Sequence, residues 1–162
     1  MFTAGVLTIS DKGAAGQRED RSGPAIGEVL SALGGSVVRS DVVPDEPAAI
    51  QDRLRQWAGD GLDLIITTGG TGLGPRDITP EATLGVVDRL VPGIAETLRA
   101  QGLKATPHAM LSRGVAGVRG RCLIINLPGS PKAVREGMEV VRPALVHAIE
   151  LLRGEYTEHP PS

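Results

Sequence analysis

The chain has 162 residues and a formal net charge of −2, a length that suits one domain and a balance that gives no basic field for nucleic acid or an anionic membrane. Aromatic residues are almost absent, with Phe2, Trp57 and Tyr156 the whole set, so a core has to be built from Val, Ile, Leu and Ala. The 22 Gly and 12 Pro lie between apolar runs and read as turns, not as a disordered tract.

In chain order, Gly5 to Ile9 reads as a strand closed by the polar turn Ser10-Asp11-Lys12-Gly13. The stretch up to Gly13 has neither the basic segment nor the apolar run of a signal peptide. Ser22 sits where an N-cap belongs, ahead of Ile26, Val29, Leu30 and Leu33 at helical spacing, and Gly34-Gly35 ends that helix. Ser36 to Val43 is a more polar strand, fit for a sheet edge. The next helix opens at Asp45-Glu46-Pro47 and puts Ile50, Leu54 and Trp57 on one face. Leu62 to Thr67 is a third strand, followed by a glycine-rich loop from Thr68 to Asp77. Thr79-Pro80-Glu81 offers an N-cap with proline at the first helical position, and a helix carrying Ile94 and Leu98 starts at Pro92. A short helical turn begins at Thr106-Pro107 and ends near Leu111-Ser112-Arg113. Cys122 to Asn126 is a fourth strand, and its cysteine, alone in the chain, excludes an internal disulfide, fits a reducing compartment and reads as a core residue. Ser130 caps a long last helix that buries Val134, Met138, Val141, Leu145, Ile149 and Leu152, with a kink or restart expected at Pro143. Residues 155–162 read as a flexible tail after a single domain over 1–154. No segment approaches the ~20 apolar residues of a membrane span, so a cytoplasmic location is expected.

Alternating strands and helices imply an α/β fold, a mainly parallel sheet with helices on both faces. Ligands of such sheets gather outside the carboxyl ends of the strands. Four polar loops fall there: Ser10 to Ser22, Pro44 to Glu46, Thr68 to Thr79, and Asn126 to Ser130. Thr67-Thr68-Gly69-Gly70-Thr71-Gly72 can turn successive N–H groups toward an anion, although a tight strand-to-helix turn has the same composition. It matches neither the dinucleotide fingerprint nor the phosphate-loop fingerprint. Asp45 and Asp77 sit on separate carboxyl-end loops, and two carboxylates beside a phosphate site suit Mg²⁺. Asp45 can equally serve as a helix cap, whereas Thr79 is the better cap beside Asp77. Asn126-Leu127-Pro128-Gly129-Ser130-Pro131-Lys132 places an amide, a hydroxyl and a cation at a helix N-terminus, which suits an anion or a plain capped start. His108, His147 and His159 have no metal-ligand spacing.

These residues resemble the molybdopterin-binding proteins of MogA type, relatives of the G domains of Cnx and gephyrin. The resemblance rests on Ile9-Ser10-Asp11-Lys12, Asp20-Arg21-Ser22-Gly23, Val43-Pro44-Asp45-Glu46, the stretch from Thr67 to Thr83, Met110-Leu111-Ser112-Arg113, and Asn126 to Ser130. It implies a three-layer α/β fold, a homotrimer, and Mg²⁺-dependent transfer of AMP from ATP to molybdopterin, with the product passed to a MoeA-type molybdate-inserting partner. Asp45 and Asp77 are then the essential carboxylates and metal ligands, and Ser112 helps hold the ligand. Thr68, Gly69, Gly70, Thr71 and Gly72 cradle phosphate together with Asn126, Pro128, Gly129 and Ser130. Ser10, Asp11, Lys12, Pro75 and Arg76 complete the expected binding set, with Lys12 and Arg76 offsetting charge. The Pro75-Arg76-Asp77-Ile78-Thr79-Pro80 run is of the MogA kind and not of the MoaB kind. The alternative from another class is a protein that binds molybdopterin without turnover.

Overall fold

Side chains along Phe2–Ile9 alternate between two buried clusters, the behaviour of a strand covered on both faces. Ala4 and Val6 join one cluster, and Leu7 and Ile9 the other. The structure, a computed structural model, describes residues 1–17 and 22–155. Asp20 and Arg21 of the motif around Ser22, and the expected tail beyond Glu155, lie outside the described residues.

The strands are β1 (Phe2–Ile9), β2 (Gly35–Val43), β3 (Leu64–Thr68), β4 (Arg89–Leu90), β5 (Ala116–Arg119) and β6 (Cys122–Leu127). They form one sheet in the order β2-β1-β3-β6-β5-β4. β2, β1, β3 and β6 run parallel, while at one edge β5 pairs antiparallel with β6 and β4 antiparallel with β5. The helices are α1 (Asp11–Ala14), α2 (Ser22–Ala32), α3 (Pro47–Gly59), α4 (Thr79–Leu84), α5 (Pro92–Gly102) and α6 (Pro131–Arg153), with a 3-10 turn over Pro107–Leu111. Residues of α2, α5 and α6 pack on the sheet face that carries Val6, Ile66 and Ile125. Residues of α3 and α4 pack on the opposite face with Leu7, Ile65 and Ile124. The three-layer α/β architecture expected from the sequence is therefore present.

Several elements differ from the sequence reading. Ser10 accepts a hydrogen bond from the Gly13 N–H and caps the one-turn helix α1 where a plain turn was expected. β4 and β5 are additional strands, one only two residues long and the other containing Gly117 and Arg119. Thr79 does not cap α4: Ile78 holds that position, and the Thr79 hydroxyl donates to the Gly69 carbonyl at 3.0 Å. α6 continues as one helix through Pro143, with Ser130 capping its start as expected. Gly5 is required by packing, since a Cβ there would stand 2.6 Å from Cε3 of Trp57.

At the amino ends of the strands, Asp63 ties several segments together. Its carboxylate accepts from the Thr3 N–H at 2.9 Å and from Arg153 Nε and Nη2 at 2.9 and 2.6 Å. Burial alone would raise this carboxyl, but the Arg153 guanidinium and the Thr3 donors outweigh it and hold it below the usual carboxylate value. A depressed folded-state value stabilises the protein above the unfolded value, and that contribution is lost as pH falls through the folded one. Asp63→Asn should therefore cost about 2 kcal/mol at neutral pH by urea denaturation. The gap from the wild type should close as the pH is taken below about 4.

Candidate functional site

Parallel pairing brings the strand ends to one level: Ile9 stands opposite Val43, Thr8 opposite Thr68, and Thr68 opposite Leu127. β2 and β3 lie on opposite sides of β1, so the loops after β1 and β3 diverge and open a crevice there. Gly69 and Gly70 carry φ values of +96° and +68°, a backbone that side chains rarely adopt. A Cβ on Gly69 would lie 2.4 Å from the Ile9 carbonyl oxygen, and one on Gly70 would lie 2.2 Å from Thr79 Oγ1. The loop can enter the crevice only as glycine.

Two pockets flank this loop. The smaller, of about 810 Å³, is lined by Ser10, Asp45, Thr68, Gly69, Gly70, Asp77, Gly129 and Ser130 among others. The larger, of about 1070 Å³, is mostly apolar and runs between α5, the 3-10 turn and α6, with Ser112 and Asn126 in its wall. Thr71, Gly72 and Pro128 line both. The two spaces share the glycine-rich loop as a partition.

Asp11, Lys12, Pro75 and Arg76 line neither pocket. Lys12 and Pro75 are exposed. Arg76, which the sequence reading gives the task of offsetting charge, places its Nε and Nη2 on the Asp11 carboxylate at 3.0 and 2.9 Å. Asp11 in turn is clasped to Asp45: the Asp11 N–H donates to Asp45 Oδ2 at 2.9 Å, and the Asp45 N–H donates to Asp11 Oδ1 at 3.0 Å. The Arg76 guanidinium, with the Asp45 N–H, holds the Asp11 carboxyl below its ordinary value. Burial raises the Asp45 carboxyl, and the charges of Asp11 and Asp77 add to that rise.

Asp45 does not cap α3: Glu46 occupies the cap position, and no side chain completes it. Asn126 was expected to meet the ligand with its side chain, yet its amide is engaged within the protein. Its Nδ2 donates to the hydroxyls of Thr67 and Thr83 at 2.9 and 3.0 Å, and its Oδ1 accepts from the Val115 N–H at 3.2 Å. Arg113, to which the sequence assigns no role, contacts the glycine-rich loop from outside both pockets. It donates to the carbonyls of Gly72 and Asp77 and pairs with Glu81, and its only signal in the sequence is its place at the end of Met110-Leu111-Ser112-Arg113.

The residues present fit Mg²⁺. Asp45 and Asp77 line one pocket, each commits Oδ2 to a loop N–H and has a second oxygen to offer, and their mutual repulsion is relieved by a cation. Ser130 at the start of α6 adds a helix N-terminus to the same pocket.

A mainly parallel sheet whose carboxyl-end loops bring a glycine-rich turn, a helix start and two carboxylates to one pocket defines an α/β ligand-binding protein. The chain belongs to the molybdopterin-binding family: residues 5–147 match the family described as "Probable molybdopterin binding domain". It is 45% identical to the molybdopterin adenylyltransferase of Helicobacter pylori strain J99 over 157 residues, covering 95% of this chain and 89% of that protein. The molybdopterin biosynthesis enzyme MoaB of Thermus thermophilus superposes with a TM-score of 0.90 at 58% identity, over 95% of this chain and 98% of the other. The molybdopterin biosynthesis Mog protein of Mycobacterium ulcerans gives 0.89 at 41% identity, over 94% and 99%. Among the described residues no helix is long and apolar enough to cross a membrane.

Gly70→Ala should lower stability by about 1–3 kcal/mol, since the alanine is held in a left-handed backbone and pressed on the Thr79 hydroxyl. A shift in the urea midpoint measures it.

Proposed function

We propose that this chain is a molybdopterin adenylyltransferase, which moves AMP from ATP onto the terminal phosphate of molybdopterin and releases pyrophosphate. The observation that carries this reading is the pair of pockets sharing one partition, the larger mostly apolar and the smaller lined by the glycine-rich loop, a helix start and two carboxylates. A pterin ring suits the first, with Ser112 as a polar contact, and the phosphates of ATP suit the second. A terminal phosphate oxygen of the pterin attacks the α-phosphorus, a new P–O bond forms, and the bond to the pyrophosphate breaks. The nucleophile belongs to the substrate, so the protein acts by holding two polyanions in line and offsetting their charge.

Asp45 and Asp77 would hold Mg²⁺, and the metal would supply charge neutralisation for the phosphates. N–H groups of Gly70, Thr71 and Gly72 and the start of α6 would meet the remaining phosphate oxygens. The clasp from Asp11 keeps the Asp45 loop in place, and Arg76 steadies Asp11. The homotrimer, the cytoplasmic location and the hand-over to a MoeA-type partner belong to the same reading, supported by the family resemblance.

Pyrophosphate release from Mg·ATP should depend on added molybdopterin, and a protein that binds the pterin with no release would be a storage or presentation module. Asp77→Asn and Asp45→Asn should each abolish release while binding molybdopterin. The Asp45 variant should melt within about 2 °C of the wild type, because its amide oxygen still accepts the Asp11 N–H. Near-normal turnover by either variant would remove that residue from the metal site. Light scattering at micromolar concentration should report a trimer, and a clean monomer would contradict the assembly.

A further inference from the structure

Arg113 lies behind the partition between the two pockets and directs most of its donors to it. Its backbone N–H donates to the Thr71 carbonyl at 2.8 Å. Its Nε donates to the Gly72 carbonyl at 2.8 Å, and its Nη2 to the Asp77 carbonyl at 2.7 Å. The remaining arm, Nη1, is paired with Glu81 at the start of α4. One planar fork thus holds both ends of the segment 72–77, and a lysine cannot reproduce it. The neighbouring Ser112 faces the larger pocket, whereas Asp77 faces the smaller.

We propose that Arg113 is a positioning residue for adenylyl transfer, which fixes the partition so that Ser112 and Asp77 keep a set placement on its two sides. This rests on the transferase reading above. The guanidinium meets no substrate, and its effect passes through the carbonyls it holds. Loosening the partition should disturb the alignment of the two substrates more than the binding of either one.

The test compares the wild type, R113K, E81Q and a surface control, R142Q on α6, for pyrophosphate release with Mg·ATP and molybdopterin. Binding of molybdopterin alone is followed by pterin fluorescence, and circular dichroism sets an assay temperature at which each protein is folded. For R113K, kcat should fall about tenfold or more while KM and Kd for molybdopterin stay within about twofold, the pattern of lost alignment. R142Q should match the wild type. A kcat for R113K within about threefold of the wild type, or a loss carried by KM alone, overturns the proposal. If R113K does not fold, E81Q decides: a kcat several-fold lower at unchanged pterin Kd supports the role, and an unchanged kcat overturns it. An inactive wild type would sink the transferase reading and this inference with it, whereas an active wild type beside an unaffected R113K sinks this inference alone.

Discussion

The parallel register of β1, β3 and β6 is the constraint on which the rest depends. The Gly69 N–H donates to the Leu127 carbonyl at 3.0 Å, so the ladder between β3 and β6 extends one residue into the loop. That step carries Gly69 against the Ile9 carbonyl and brings the three loops together. A slip of one residue in β3 would turn Leu64 and Ile66 from one buried cluster to the other and take the Thr67 hydroxyl away from Asn126. The core and the site are thus set by the same pairing. Apolar packing on both faces supplies the force, and the loops inherit the precision.

Two arginines beside the site are engaged with the protein itself. Arg76 is held by Asp11, and Arg113 by loop carbonyls and Glu81. Backbone of the glycine-rich loop and the start of α6 line the smaller pocket, and among the described residues no Lys or Arg side chain does. Dipoles held in this way need little rearrangement when charge moves between phosphates. The Arg76–Asp11 pair is exposed on both sides, so its part is to steady the loop more than to add stability.

The inner strands are legible in the sequence because both faces of the sheet are covered, which makes β3 and β6 near-continuous apolar runs. β4 and β5 are not legible, since their place is set by pairing onto β6 and not by any alternation of their own. Asp45, Asp77 and the glycine loop can be found from their position after strands, a local property. The tasks of Asp11 and Arg113 cannot, because their partners lie 34, 36 and 41 residues away. Asn126 misleads for a related reason. Its place beside a helix start suggests a ligand contact, while its side chain faces inward to Thr67 and Thr83. The caps divide in the same way: Ser130 meets its own helix, but Thr79 answers to Gly69 across the loop.

The link between Asp63 and Arg153 also fixes where the two ends of the described chain emerge. α6 starts at the pockets and ends beside Asp63, at the amino ends of the strands, and β1 begins at that same end. A tether leaving from Glu155, or one joined ahead of Phe2, therefore departs from the pole opposite the pocket mouths. Anchoring the protein to a surface by either end, or appending a second unit there, leaves both pockets at the far pole.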